Sequence, residues 1–145
     1  MSIRVAARAV IVEQGRLLLV NAFPGDQSDL WCAPGGGVEK GSSLPDNLMR
    51  EVHEETGLRI KVGPPCLVNE FHNPSQEFHQ VEVFFRCQIV SGTLSETWTD
   101  PEAVVTRRRF VTRDEMAGLR YKPDSLPDVA FSRGIGYDPL ELLMK

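Results

Sequence analysis

The rhythm of apolar and polar residues changes repeatedly along this chain, and each change predicts an element. Residues 3–12 are dense in Val, Ala and Ile and read as a strand, which 13–15 (Glu-Gln-Gly) turns into a second strand over 16–20. Residues 21–28, with Pro24-Gly25-Asp26, form a loop. Leu44, Leu48 and Val52 then recur every four residues, the buried ridge of a helix. A short strand is expected over 59–62, interrupted by Gly63-Pro64-Pro65, with another over 67–71. Residues 78–90 alternate (Phe78, Gln80, Glu82, Phe84, Arg86 against His79, Val81, Val83, Phe85, Cys87), the period of a long half-buried strand. After Asp100-Pro101-Glu102, residues 103–111 read as the last long strand. Thr112 is placed to cap a helix with Glu115 as reciprocal partner, continuing through Met116, Leu119 and Arg120. A short helix over 126–131, a loop over 134–136 and a final turn over 140–144 complete the pattern. Together these elements predict an α+β sandwich, helices flanking a mixed central sheet, as a single domain over 1–145.

The ends of the central helix are well marked. Ser42 or Ser43 can cap its N-terminus, Asp46 is close enough to Ser43 for a capping box, and Pro45 suits the first turn, where its missing N–H is no loss. Gly57 is a C-terminal stop. Within it, Glu51, Glu54 and Glu55 are spaced i, i+3, i+4 and converge on one arc of the surface, where each repels the other two. Glu55 also projects between Leu48 and Val52, at the edge of the apolar ridge. Negative charge gathered beside an apolar face calls for a cation, and hard divalent ions take oxygen ligands. Before the helix, Pro34-Gly35-Gly36-Gly37 is a loop whose backbone can approach an anion or a metal closely.

The order of these parts resembles the Nudix hydrolase signature: Gly, five residues, Glu, seven residues, Arg-Glu, an apolar residue, any residue, Glu-Glu, any residue, Gly, an apolar residue. Gly36, Arg50, Glu51, Val52, Glu54, Glu55, Gly57 and Leu58 fall at the required spacing, and 30–39 (Leu-Trp-Cys-Ala-Pro-Gly-Gly-Gly-Val-Glu) looks like the usual lead-in. One position departs: Ser42 stands where the pattern has Glu. The resemblance implies a Nudix-like α/β/α sandwich and water attack on phosphorus in the diphosphate linkage of a nucleotide or nucleoside diphosphate derivative, with Mg2+ or Mn2+ as cofactor. It implies Glu51, Glu54, Glu55 and the Gly35 carbonyl as metal ligands, with Arg50 orienting the glutamates. Glu51 is the first choice as general base; Glu82, Glu96 and Glu102 are further candidates. Substrate contacts are expected from Gly36, Gly37 and Glu39, and from Phe23, Trp31 and Phe71 if their loops form an aromatic slot for a base. Dimers are common in similar proteins, and a homodimer stays open.

Other residues carry less. On a strand, Arg107, Arg108 and Arg109 point alternately to opposite sides, so they read as solvated rather than as a phosphate clamp. His53 occupies a position the signature leaves free and is expected to be exposed; His72 and His79 flank a loop near the cleft. Nothing outside the box supplies the extra acid–base residues of an isomerase acting on an isoprenoid diphosphate. The Ser42 departure keeps an alternative open, a Nudix-fold protein that binds a nucleotide for regulation with weak or no turnover.

Composition bounds the remaining classes. The chain has 145 residues, 41% hydrophobic and 25% charged, enough for a core without disulfides. A net charge of -4 argues against a protein built to coat nucleic acid, and leaves a small-molecule substrate as the expected partner. Cys32, Cys66 and Cys87 are widely spaced with no CxxC pair, which fits free thiols in a reducing compartment. The first residues show no leader pattern and no apolar run is long enough to span a membrane, so a cytoplasmic protein is expected.

Overall fold

The computed structural model describes residues 2–145. Strand β1 (Arg4–Glu13) turns through Gln14 and Gly15, both at positive φ, into the antiparallel β2 (Arg16–Asn21). Two short strands follow, β3 (Trp31–Cys32) on β2 and β4 (Gly35–Gly37) on β1. Helix α1 (Leu44–Thr56) leads into β5 (Arg59–Asn73), which pairs antiparallel with β6 (Phe78–Ser91). β6 in turn lies parallel to β1, from Arg4 opposite Gln80 to Ile11 opposite Cys87. After β7 (Arg108–Val111), antiparallel to β2, come α2 (Arg113–Met116) and α3 (Leu126–Ala130). The short β8 (Gly136–Tyr137) and β9 (Glu141–Leu142) lie parallel on β5.

The mixed nine-stranded sheet buries both faces, because successive residues of a strand point to opposite sides. On one face Ala7, Ala9, Ile11, Leu18 and Phe85 pack under Leu48 and Val52 of α1. On the other, Val10, Leu17, Leu19 and Phe84 meet Met116 of α2 and Leu126 and Val129 of α3. Helices on both faces of a mixed sheet are the sandwich that the pattern predicted. Leu48 and Val52 are fully buried, each contributing about 1.5–3 kcal/mol of transfer free energy. No helix among the described residues is long and apolar enough to cross a membrane.

Five expectations need correction. The loop expected at 34–37 gives way to β4 over Gly35–Gly37, because its backbone pairs antiparallel with Ala6, Ala7 and Arg8 of β1. Gly63-Pro64-Pro65 does not break the strand: β5 runs through it with register shifts between Val62 and Pro65 and between Pro65 and Leu67. A bulge lets the two prolines, which have no N–H to give, pass along an otherwise paired strand. The expected strand over 103–111 shortens to Arg108–Val111, because side chains take the backbone donors of 104–107: Asp100 accepts from Val104 and Val105, Asn21 from Thr106 and Arg107. The helix begun by Thr112 has its full capping box but spans only Arg113–Met116, short of Leu119 and Arg120. Last, the loop and turn expected over 134–144 contain β8 and β9, recruited by the free edge of β5.

Candidate functional site

Helix α1 is capped by Ser43, whose hydroxyl accepts from the Asp46 N–H at 3.1 Å, and it ends where Gly57 adopts φ 78. Ser42 is not the cap; its hydroxyl donates only to the Ser43 carbonyl, at 3.3 Å. Trp98 covers the far end, its indole N–H donating to the Glu54 carbonyl at 2.8 Å. Against that ring packs His53, edge on with centroids 5.3 Å apart, so it is half-buried rather than exposed.

Three carboxylates converge beside this helix: Glu51, Glu54 and Glu102 each bring an oxygen within 4.8 Å of the others. Arg50 spans them. Its Nη1 donates to both oxygens of Glu54 at 3.1 Å, and its Nη2 to Glu51 Oε1 at 3.3 Å, with Glu39 at 3.6 Å. The planar fork holds two acids at once, which a point-like ammonium would not do. Asn47 is the residue the sequence did not single out. Almost wholly buried, it donates to the Gly37 carbonyl at 3.0 Å, while its oxygen accepts from the Glu39 N–H and from Arg50, both at 3.2 Å. One amide thereby fastens β4 to the helix and aims the arginine. The only sequence signal was a polar residue beside the apolar ridge.

Gly36 lies against the acid end of Glu51: a Cβ there would meet the carboxyl carbon and Oε2 at 3.0 Å. Gly35, at φ 146, is packed on β1 so closely that a Cβ would fall 2.0 Å from the Ala7 carbonyl oxygen. Its N–H donates to Glu55 Oε1 at 3.2 Å and its carbonyl accepts from Arg8 Nη1 at 3.2 Å. Burial pushes the Glu55 carboxyl up to about 8, against the pull of Arg8 and the Gly35 N–H; Glu51 and Asp100 push the same way as burial. Burial also raises Glu51, opposed by Arg50. Glu55 therefore stands behind the converging trio rather than in it, held by Gly35 of β4.

Arg8 connects this centre to a cavity of about 330 Å³ on the α3 side of the sheet. Its Nε donates to Glu82 Oε2 at 2.8 Å, and Gln80 Nε2 donates to the same oxygen at 3.0 Å. Phe23, Phe71 and Phe78 line the cavity together with Arg4, Asn69 and Lys122. Asn69 and Gln80, each 3% exposed, carry carbonyl oxygens with no partner among the described residues. Cys32 also lines it, a free thiol that burial pushes up to about 12, so it stays protonated at neutral pH.

Of the aromatic slot expected from Phe23, Trp31 and Phe71, only the two phenylalanines share the cavity. Trp31 lines a separate shallow pocket with Asp26, Asp29 and Arg107, its ring flanked by Arg107 and Arg109 at 5.9 and 5.8 Å. Arg108 points the other way and donates to the Glu55 and Val105 carbonyls, as strand alternation requires. Gly36 and Gly37 adjoin Glu51 and Arg4, and Glu39 pairs with Arg50 away from the cavity. Among the other candidate bases, Glu82 is engaged with Arg8, and Glu96 is exposed outside the converging cluster.

The chain is similar to known proteins. A MutT-like protein of Streptomyces ambofaciens is 32% identical over 111 residues, 77% of this chain and 64% of that protein. An ADP-ribose pyrophosphatase of Methanocaldococcus jannaschii is 28% identical over 92 residues, 62% of this chain and 53% of that one. The chain thus spans about half the length of the curated relatives it matches. A NUDIX hydrolase structure from Nitrosomonas europaea superposes with TM-score 0.74 at 22% identity, covering 88% of this chain and 86% of that one, and so shares the fold. The NUDIX domain family model matches residues 2–130, and the chain belongs to the Nudix family.

Proposed function

We propose that this protein is a divalent-cation-dependent pyrophosphohydrolase that cleaves the diphosphate linkage of a nucleotide or nucleoside diphosphate derivative. The observation that carries the reading is the meeting of Glu51, Glu54 and Glu102 oxygens within 4.8 Å, with Arg50 bridging two of them. An all-oxygen donor set fits Mg2+ or Mn2+ and suits neither zinc nor copper. The names of the relatives, an ADP-ribose pyrophosphatase and a MutT-like protein, support the same reaction class.

Glu51, Glu54 and Glu102 would hold the cation, with Glu55 and the Gly35 carbonyl adjoining. A bound divalent ion supplies charge neutralisation at the diphosphate and a more acidic water. Arg50 occupies Oε1 of Glu51 and leaves Oε2, beside Gly36, to accept a proton from the attacking water. Burial raises the affinity of that carboxylate for the proton. The 330 Å³ cavity has room for a ring-sized organic group, with phenylalanines to stack on and Arg4 to offer positive charge, while Lys122 is paired with Asp124 and Glu141.

The test is a panel of nucleoside triphosphates, nucleotide sugars, dinucleoside polyphosphates and dinucleotide cofactors, each with Mg2+, Mn2+ or chelator, with products identified by mass. Metal-dependent cleavage between two phosphorus atoms is expected. Tight ligand binding with no product under any metal would replace this reading by the regulatory one.

A further inference from the structure

Glu102 reaches the acidic trio from a loop that has no strand to hold it. Its side chain is exposed and makes no hydrogen bond or ion pair among the described residues, so its place is set by the backbone beneath it. That backbone is gathered by one residue. Asp100 is 4% exposed; its Oδ1 accepts from the Glu102 N–H at 3.0 Å and its Oδ2 from the Val104 and Val105 N–H groups at 3.2 and 2.9 Å. Its own carbonyl accepts from the Ala103 N–H at 2.9 Å. Between them Ala103 sits at φ 57, a left-handed conformation that a residue with a Cβ adopts only when its neighbours impose it. Asn21 closes the base of the loop: its amide accepts from Thr106 and Arg107 at 2.9 and 3.0 Å and donates to the Val104 carbonyl at 2.8 Å.

We propose that Asp100 is a positioning residue for the cation centre, folding residues 100–105 around its carboxylate so that Glu102 is delivered to Glu51 and Glu54. The inference rests on those three glutamates being the cation site. A buried carboxylate that accepts three backbone N–H groups is costly to assemble, and the arrangement leaves the Glu102 side chain unpaired and free to serve as a ligand. In this role Asp100 acts through Glu102, its carboxylate bonded to backbone N–H groups.

The test is a double-mutant cycle read by Mn2+ binding alone, by electron paramagnetic resonance or calorimetry, on the wild type, Asp100→Ala, Glu102→Gln and the pair. Each single change is expected to weaken Mn2+ by about 10-fold or more, the range found for residues that orient metal ligands. In the Glu102→Gln background, Asp100→Ala should weaken it no further. Independent, additive losses would overturn the proposal, since they would mean that Asp100 acts through its own charge or through general stability. If Asp100→Ala fails to fold, Asp100→Asn carries the same cycle, and its smaller loss must likewise vanish beside Glu102→Gln. Should Glu51→Gln and Glu102→Gln both leave Mn2+ binding unchanged, the cation site itself is wrong. If those two weaken binding and Asp100 does not, only the positioning role falls.

Discussion

Gly35 donates its backbone N–H to Oε1 of Glu55 at 3.2 Å, and on its other side its carbonyl accepts from the Arg8 guanidinium at 3.2 Å. Because Arg8 also grips Glu82, which accepts from Gln80, a continuous polar relay runs from the acid face of α1 to the floor of the cavity. A side chain at position 35 would collide with β1, so only glycine lets one residue serve both neighbours.

The protonation of Glu55 sets a sign for pH dependence. Its carboxyl titrates at about 8 in the folded chain against an ordinary value of 4.5, so between those values the folded state keeps a proton that the unfolded state has released. Stability of the metal-free protein should therefore fall as pH rises through that window, and Glu55→Gln should flatten the fall. Urea midpoints at about pH 5 and about pH 9 measure it; an unchanged slope in the variant would refute the assignment.

Replacing Glu51 or Glu54 by Gln should lower kcat by more than about tenfold, with Glu51 the larger loss, because the first would lose a proton acceptor as well as a ligand. Steady-state kinetics beside melting curves would check this; full activity in both variants would end the enzymatic reading.

Gly36→Ala should damage the site while sparing the fold. The added methyl would press on the Glu51 carboxyl at 3.0 Å and push it out of register, yet no main-chain atom stands among its nearest contacts. The expected result is a large drop in kcat with the melting temperature little changed.

The aromatic residues should separate by location. Phe71→Ala should raise KM by an amount equivalent to about 1–3 kcal/mol, the range for lost stacking on a base, with kcat nearly unchanged. Trp31→Ala should leave KM alone, because that ring lies outside the cavity beside Arg107 and Arg109.

Ser42→Glu restores the residue the family signature has at this position, just before the Ser43 cap. Tighter Mn2+ binding or faster turnover is expected. No change in either would show that Arg50, already held by Asn47 and Glu54, needs no further acid.

Local chemistry made the bounds of α1 legible. Its cap, its apolar ridge and its terminal glycine are all decided within one or two turns of helix, and the spacing of Glu51, Glu54 and Arg50 follows from helical geometry alone. The same holds for the alternation of β6 and for the capping box of Thr112 and Glu115. Errors arose where a distant partner intervened. Nothing near residues 106 and 107 announces that Asn21 will take their backbone donors; with Asp100 taking those of Val104 and Val105, the strand is denied there. Nothing near 136–142 reveals the open edge of β5.

The linear order of residues thus settled which acids share a helix face, which glycines precede it and which family they belong to. Only tertiary packing decided that Glu102 joins Glu51 and Glu54, that Glu55 is tied back to Gly35, and that Phe71 faces a cavity which Trp31 does not. The reason is reach. A helix turn sets neighbours within four residues through bonded geometry, whereas a loop carboxylate or a cavity wall is placed by hydrogen bonds and burial between distant segments, such as Asn21 and Thr106, 85 residues apart.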